Sequence, residues 1–363
     1  MTDTSDNTEN NTFSEKILSW FQQHGRHHLP WQQEKTPYKV WVSEIMLQQT
    51  QVTTVIPYFG RFMTRFPNVQ SLAKADEDAV LHLWTGLGYY ARARNLHKAA
   101  KIIHQQYKDI FPDSVEELSE LPGIGRSTAG AIIAASMNKR AVILDGNVKR
   151  VLCRYHCVEG WPDQSSTNKT LWEIAERYTP DENCGDYNQA MMDLGASLCS
   201  RSKPACDLCP LQKSCQAYQT QRTEIFPEKK PKKTLRVKST AMLILQSPDA
   251  RKVLLEKRPS QGIWGGLWSF PEIPVDEAPD SYLLANGLKP SSDIRKWQPM
   301  RHTFSHFHLD MTPVLVSLSK SQDTVLESGR WHWYDLENPG KLGLAAPVKN
   351  LLATLKNNLE SNL

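Results

Sequence analysis

No apolar run in the 363 residues approaches the ~18 needed to cross a bilayer; the longest, near Ala129 to Ala135, is short and rich in alanine. A spanning helix is therefore not expected. No basic-then-apolar segment opens the chain, so a secretory signal is not expected either, and the expected compartment is the cytoplasm. Charge of one sign is scarce: the formal net charge is +4, too small to identify a partner by itself. No internal repeat is visible. The chain has seven cysteines, and the reducing compartment expected for it argues against a disulfide framework.

What is present suits a folded protein of more than one domain. Apolar residues make up 40% and charged residues 23%, and the length allows two or three domains of ~150 residues. Residues 1–12, rich in Asp, Asn, Thr and Ser, read as a disordered tail. From residue 13 to 225 the pattern is helical. Apolar positions recur at helical spacing in Ile17 to Phe21, Val40 to Ile56, Leu81 to Trp84 and Ala129 to Ala135. Residues 226–238 carry Lys229, Lys230, Lys232, Lys233, Arg236 and Lys238 beside Pro227 and Pro231, a basic linker that is either simply solvated or laid along phosphates. From 239 to 363 the texture changes. Ala241 to Leu245, Val253 to Leu255 and Thr312 to Leu318 read as strands, and Val348, Leu351, Leu352 and Leu355 share one face of a closing helix. The fold class expected is thus an all-α domain followed by an α+β domain.

Three constellations carry chemistry. Cys199, Cys206, Cys209 and Cys215 fall within 17 residues and can close around one metal centre, either structural zinc or an iron–sulfur cluster. Arg201, Lys203 and Lys213 make the same loop basic. Residues 114–136 contain a second feature: a capping box at Ser114 to Glu117, the turn Leu121-Pro122-Gly123-Ile124-Gly125, and a helix opening at Arg126. Gly123 and Gly125 let a partner approach the backbone, and the helix amino terminus that follows favours an anion, although Gly-x-Gly after a helix is commonly just a turn. The third is a pair of carboxylates. Asp145 either caps the helix after its Asp-Gly turn or faces a cleft. Glu44 is either a solvated glutamate or, given Val40, Trp41, Val42, Ile45, Met46 and Leu47 around it, a partly buried acid with a raised pKa. Two carboxylates in different environments are what N-glycosidic cleavage requires: one protonates the leaving base and activates water, the other faces the developing cation.

In order along the chain, Leu29-Pro30-Trp31, Trp41 to Gln51, Gly86 to Arg94, the hairpin, the Asp145 segment and the cysteine loop resemble the adenine DNA glycosylases of the helix–hairpin–helix, endonuclease III-like superfamily. The resemblance spans Phe13 to Leu355. It implies a [4Fe-4S] cluster on the four cysteines, Glu44 as general acid, Asp145 as the carboxylate opposite the cationic sugar, and Asn147 as its polar support. It implies that Trp31, Gln49, Tyr89 and Ser127 surround the flipped base or the mismatch, and that Gly123, Gly125 and Arg126 hold phosphate. Bifunctional relatives carry lysine where Ser127 stands; a hydroxyl cannot form a Schiff base, so a monofunctional enzyme is implied.

The second domain resembles the Nudix fold through Ile263 to Pro271, but Glu272 to Asp280 lacks the acid-rich magnesium-binding box. Pyrophosphate hydrolysis, a catalytic magnesium and a nucleotide cofactor are accordingly not expected. Phe304-Ser305-His306 matches the family's element for reading oxidised guanine; as a plain strand the same residues would alternate between faces, so a shared contact needs a bend. The partner implied is double-stranded DNA holding adenine opposite 8-oxoguanine or guanine, bound by a monomer away from membranes. The competing readings are a bifunctional thymine-glycol or abasic-site lyase, a non-catalytic DNA-binding module and a Nudix hydrolase.

Overall fold

The computed structural model describes residues 4–231, 234–291, 294–320 and 329–360. They form two compact units. One comprises the chain up to Lys74 together with Asn95–Pro231; the other comprises Ala75–Arg94 with the chain beyond Pro231.

The first unit is helical. Its elements are α1 (Thr4–His24), α2 (Pro30–Gln33), α3 (Pro37–Leu47), α4 (Val52–Arg65) and α5 (Val69–Ala73). After α6 (Glu77–Trp84), which belongs to the second unit, α7 (Ala91–Gln106) leads back into the first. It continues with α8 (Val115–Glu120), α9 (Arg126–Met137), α10 (Gly146–His156), α11 (Ser165–Tyr178), α12 (Cys184–Ser197) and α13 (Gln216–Gln219). Phe13, Ile17 and Phe21 on α1 bury against α10, α11 and α12, with Phe13 4.2 Å from the Tyr178 ring and edge-on to Tyr155 at 4.8 Å. The ~1.5–3 kcal/mol gained by burying each such side chain holds α1 and α10 in place beneath the site. The expected tail at residues 1–12 is instead helical from Thr4. The apolar stretch Val40 to Ile56 is likewise two helices, broken at the polar run Gln48-Gln49-Thr50-Gln51, with Gln49 at φ +56°.

The second unit is an eight-stranded mixed sheet among the described residues: β1 (Arg236–Gln246), β2 (Lys252–Lys257), β3 (Trp268–Ser269), β4 (Glu272–Ile273), β5 (Arg295–Lys296), β6 (Met300–Thr303), β7 (Phe307–Ser317) and β8 (Trp331–Asp335). The main path runs β3-β2-β1-β7-β5, and β1 lies parallel to β7 from Arg236↔Phe307 to Gln246↔Ser317. Helices α14 (Pro279–Ala285) and α15 (Ala346–Glu360) complete it. The expected linker at 226–238 overlaps the start of β1. Arg236, Val237 and Lys238 are exposed but pair with β7, a partnership that hydropathy does not register. The expected single helical domain at 13–225 is also divided, because Ala75–Arg94 packs with the carboxy-terminal residues. Periodicity reports that a helix has an apolar face, not which element covers it. No helix among the described residues is long and apolar enough to cross a membrane.

Candidate active site

A cleft of about 640 Å³ opens in the first unit, lined by residues from α3, the loop after it, the start of α9, the start of α10 and α12. It brings together Trp31, Glu44, Gln49, Ser127, Asp145 and Asn147, six positions singled out in the sequence. Helix α3 begins with Pro37 behind Thr36, whose side chain accepts from the Lys39 N–H at 3.3 Å. It buries Tyr38, Val40, Trp41, Val42, Ile45 and Met46 around the half-buried Glu44. Burial first, and the charge of Asp145 second, push the Glu44 carboxyl up to about 7. Such a group is an acid at neutral pH.

Asp145 occupies the cap position of α10. Its Oδ1 accepts from the backbone N–H of Asn147 at 3.0 Å and of Val148 at 2.8 Å, and its Oδ2 accepts from the Asn147 side-chain amide at 3.0 Å. Burial raises its pKa, and these donors pull against that rise by favouring the anion. The capping role and the cleft-facing role, alternatives in the sequence, are both realised. Ser127 is fixed as well: its hydroxyl oxygen accepts from the Leu144 N–H at 3.0 Å, tying the start of α9 to the residue before Asp145. Trp31 is buried, edge-on to Phe59 at 5.4 Å. Gln49, exposed at the rim, holds a left-handed conformation that costs ~1–3 kcal/mol in a non-glycine residue, strain of the kind that collects at ligand sites.

Five further residues were not distinguished by any local pattern. Arg26 donates through Nε and Nη2 to the buried Asp193 at 2.9 and 2.7 Å. Gln189 donates to the same carboxylate at 2.7 Å and accepts from Gln32 at 2.5 Å. Arg26 and Gln189 both line the cleft. Arg150 donates to Asn147 Oδ1 at 2.8 Å and to the carbonyls of Gly195 and Cys199 at 2.6 and 2.7 Å.

The hairpin lies outside the cleft lining. Gly123 needs its freedom, with φ +82° and a β-carbon position 2.8 Å from Asn95 Cβ. Gly125 faces open space as the cap residue of α9, without a side-chain cap, and the Arg126 guanidinium sits 3.9 Å over the Trp172 ring. Among the described residues no three His, Cys, Asp or Glu side chains converge on a single-ion site. Cys199, Cys206, Cys209 and Cys215 instead line one apolar cavity with Val151, Tyr155, Leu194, Leu198 and Leu211. The buried Arg154 donates to the Cys199 sulfur at 3.3 Å and to the carbonyls of Ser200, Thr223 and Phe226 at 2.7, 3.0 and 2.8 Å.

Four predicted residues lie in the second unit. Tyr89 is half-exposed at φ +48°, with the Arg92 guanidinium 5.5 Å from its ring. Phe304, Ser305 and His306 form the turn of the β6–β7 hairpin, closed by the Phe304 N–H donating to the Phe307 carbonyl at 2.9 Å. Phe304 stacks on Phe307 at 4.6 Å, while Ser305 and His306 stand exposed with Oγ and Nδ1 3.3 Å apart.

The model for the HhH-GPD superfamily of base excision DNA repair proteins matches residues 42–177, and a NUDIX domain model matches residues 240–354. An adenine DNA glycosylase of Buchnera aphidicola subsp. Acyrthosiphon pisum is 44% identical over 347 residues, 96% of this chain and 98% of that protein. The adenine DNA glycosylase of Homo sapiens is 34% identical, covering 90% of this chain and 71% of its own. The solved structure of a thermostable thymine-DNA glycosylase aligns with a TM-score of 0.54 at 27% identity, over 60% of this chain and 100% of its own. A non-covalent endonuclease III–DNA complex aligns at 0.50 and 20% identity, over 61% and 99%, a likeness of fold. With identity sustained along nearly the whole length of both chains, the protein belongs to the adenine DNA glycosylase family, hydrolases of the N-glycosyl bond in base-excision repair.

Proposed function

We propose that this chain is a monofunctional glycosylase that removes adenine opposite 8-oxoguanine, or opposite guanine, from double-stranded DNA. The observation that carries the reading is Glu44, an acid titrating at about 7, in one cleft with an Asp145 carboxylate held by three N–H donors. Glu44 donates its proton to a ring nitrogen of adenine, and the glycosidic bond breaks with its electron pair leaving on the base. Asp145, supported by Asn147, faces the cationic sugar. The Glu44 carboxylate then takes a proton from the water that adds to the sugar. Trp31 and Gln49 wall the pocket, and Tyr89 fills the space at the mismatch. Ser127 offers no amine, so the strand stays intact.

Phosphate is held at Gly123, Gly125, Arg126 and the amino terminus of α9. The cysteine cavity fits a [4Fe-4S] cluster: four thiols surround one apolar space, and a buried guanidinium donates to one of the sulfurs. Cys199, Cys206, Cys209 and Cys215 would hold it, and it would supply a covalent anchor for the loop. The exposed tip at Ser305 and His306, backed by Phe304, reads the oxidised base. Glu272 pairs with Arg258, and magnesium-dependent hydrolysis is not part of the proposed activity. The protein acts as a cytoplasmic monomer. Incubation with a duplex holding adenine opposite 8-oxoguanine tests the reading. Free adenine with strand scission only after alkali is expected; scission without alkali, or no adenine release, overturns it.

A further inference from the structure

The half-exposed Tyr89 directly follows Gly88, in a turn where Gly86 and Gly88 hold φ +106° and +71° and which belongs by sequence to the helical half of the chain. Its supports come from the other half. Asp78 on α6 pairs with Lys257 of β2 at 3.0 Å, and His82 lies 3.1 Å from the Leu342 carbonyl. The buried Tyr90 hydroxyl donates to the Leu344 carbonyl at 2.9 Å, and Arg94 donates to the Gly265 carbonyl. The approach is close. A β-carbon on Gly343 would stand 2.6 Å from Leu81 Cβ, and one on Gly266 3.0 Å from Glu77 Oε1. The Gly343 carbonyl itself accepts from the Trp268 N–H at 2.9 Å, so the surface under α6 is pinned to the sheet.

We propose that Gly265, Lys257 and the segment Leu342 to Leu344 are positioning residues for Tyr89, so that the Nudix-like half both presents the Ser305–His306 hairpin and sets where the Tyr89 ring enters the mismatch. This rests on the reading of Tyr89 as the residue that fills that space. The physical reason for such an arrangement is strain. A tyrosine at positive φ on a two-glycine turn does not hold its ring in place unaided, and contacts fixing both ends of the turn supply the missing rigidity.

A double-mutant cycle in the full chain tests it, read as affinity for a duplex holding a non-excisable 2′-fluoro-adenosine opposite 8-oxoguanine. Tyr89→Ala alone is expected to weaken binding about ten-fold, the order of a lost stacking contact. With Gly343→Val, whose side chain displaces α6, the same change should cost less than about two-fold, because the ring is already misplaced. Ser305→Ala with His306→Ala should keep its full effect in that background, since the hairpin is untouched. A 2-aminopurine beside the mismatch should lose its unstacking signal equally in Tyr89→Ala and Gly343→Val. Tyr90→Phe, which removes one oxygen, replaces Gly343→Val if thermal unfolding shows that the valine prevents folding. If Tyr89→Ala costs as much with the clamp broken as without, the positioning role is overturned while Tyr89 keeps its place at the mismatch. If it costs nothing in the otherwise unaltered protein, the reading of Tyr89 and this proposal fall together.

Discussion

Replacing Glu44 by glutamine should stabilise the fold while abolishing excision, and the gain should grow with pH. The Glu44 carboxyl rests at about 7 in the folded chain against 4.5 for an ordinary glutamate. A folded pKa raised above the unfolded one means that the group's contribution is fully present below the unfolded value and is lost as pH rises through the folded value. At about 1.36 kcal/mol per unit, the whole displacement is worth roughly 3 kcal/mol, about 2 of which fall between about pH 5.5 and 8. Glutamine has nearly the same shape and no charge to lose. Asp145 is present in both proteins and cancels to first order. For a unit of this size, about 2 kcal/mol is a shift of roughly 4–8 °C in unfolding midpoint. Thermal unfolding of both proteins across that range should show the glutamine form pulling ahead of the parent as pH rises. In the parent, the single-turnover excision rate should fall about ten-fold per unit above pH 7. A midpoint difference that stays flat would mean that Glu44 titrates like any surface glutamate, and the acid assignment would fail.

Asp145→Asn should lower single-turnover excision by at least ~10²-fold while leaving the unfolding midpoint nearly unchanged, because asparagine caps a helix about as well as aspartate; an equal loss of stability would make the residue merely structural. Arg154→Leu should yield protein with clearly fewer than about four irons per chain, since it removes the donor to the Cys199 sulfur; full iron content with unaltered visible absorbance would contradict this. Truncation after Arg222 should unfold at lower temperature than truncation after Pro231, because only the shorter form lacks the Thr223 and Phe226 carbonyls that Arg154 uses and the buried Phe226 ring. Ser305→Ala with His306→Ala should shrink the preference for adenine opposite 8-oxoguanine over adenine opposite guanine by about one to two orders of magnitude, and an unchanged ratio of single-turnover rates would remove lesion reading from the hairpin.

Local features of the fold were legible where one short segment contains its own cause. The Ser114 hydroxyl accepts from the Glu117 N–H at 3.2 Å and donates to its carboxylate at 3.1 Å, so the helix before the hairpin announces its start within four residues. The break at Gln48 to Gln51 and the charged beginning of β1 were not legible in that way. Each depends on a distant partner, and the strand's ladder reaches Phe307 from Arg236. The grouping of Ala75–Arg94 with the carboxy-terminal half has the same origin. Leu81 and Trp84 mark a buried face, but nothing within Glu77–Trp84 specifies that Gly343 will lie against it.

The cleft divides along the same line. Glu44 could be read from its own helix, because seven buried neighbours on α3 are sequence neighbours. Arg26, Gln189 and Asp193 could not, since Arg26 meets its carboxylate across 167 positions and Gln32 meets Gln189 across 157. Asp145 is the instructive case, because its two readings were set against each other and the geometry makes them one. The N–H groups of Asn147 and Val148 are unsatisfied donors at the start of α10, and capping them is what orients the carboxylate. Those same donors favour its charged form against the burial that opposes it. Glu44 sits among apolar side chains with the negative charge of Asp145 as its second perturbation, so each influence pushes its proton on. Burial raises both carboxyls, but the donors of a helix start hold that rise back in Asp145, whereas the charge of Asp145 adds to it in Glu44. In the proposed mechanism, that difference in backbone setting, rather than in residue type, is what separates the roles of the two carboxyl groups in one cleft.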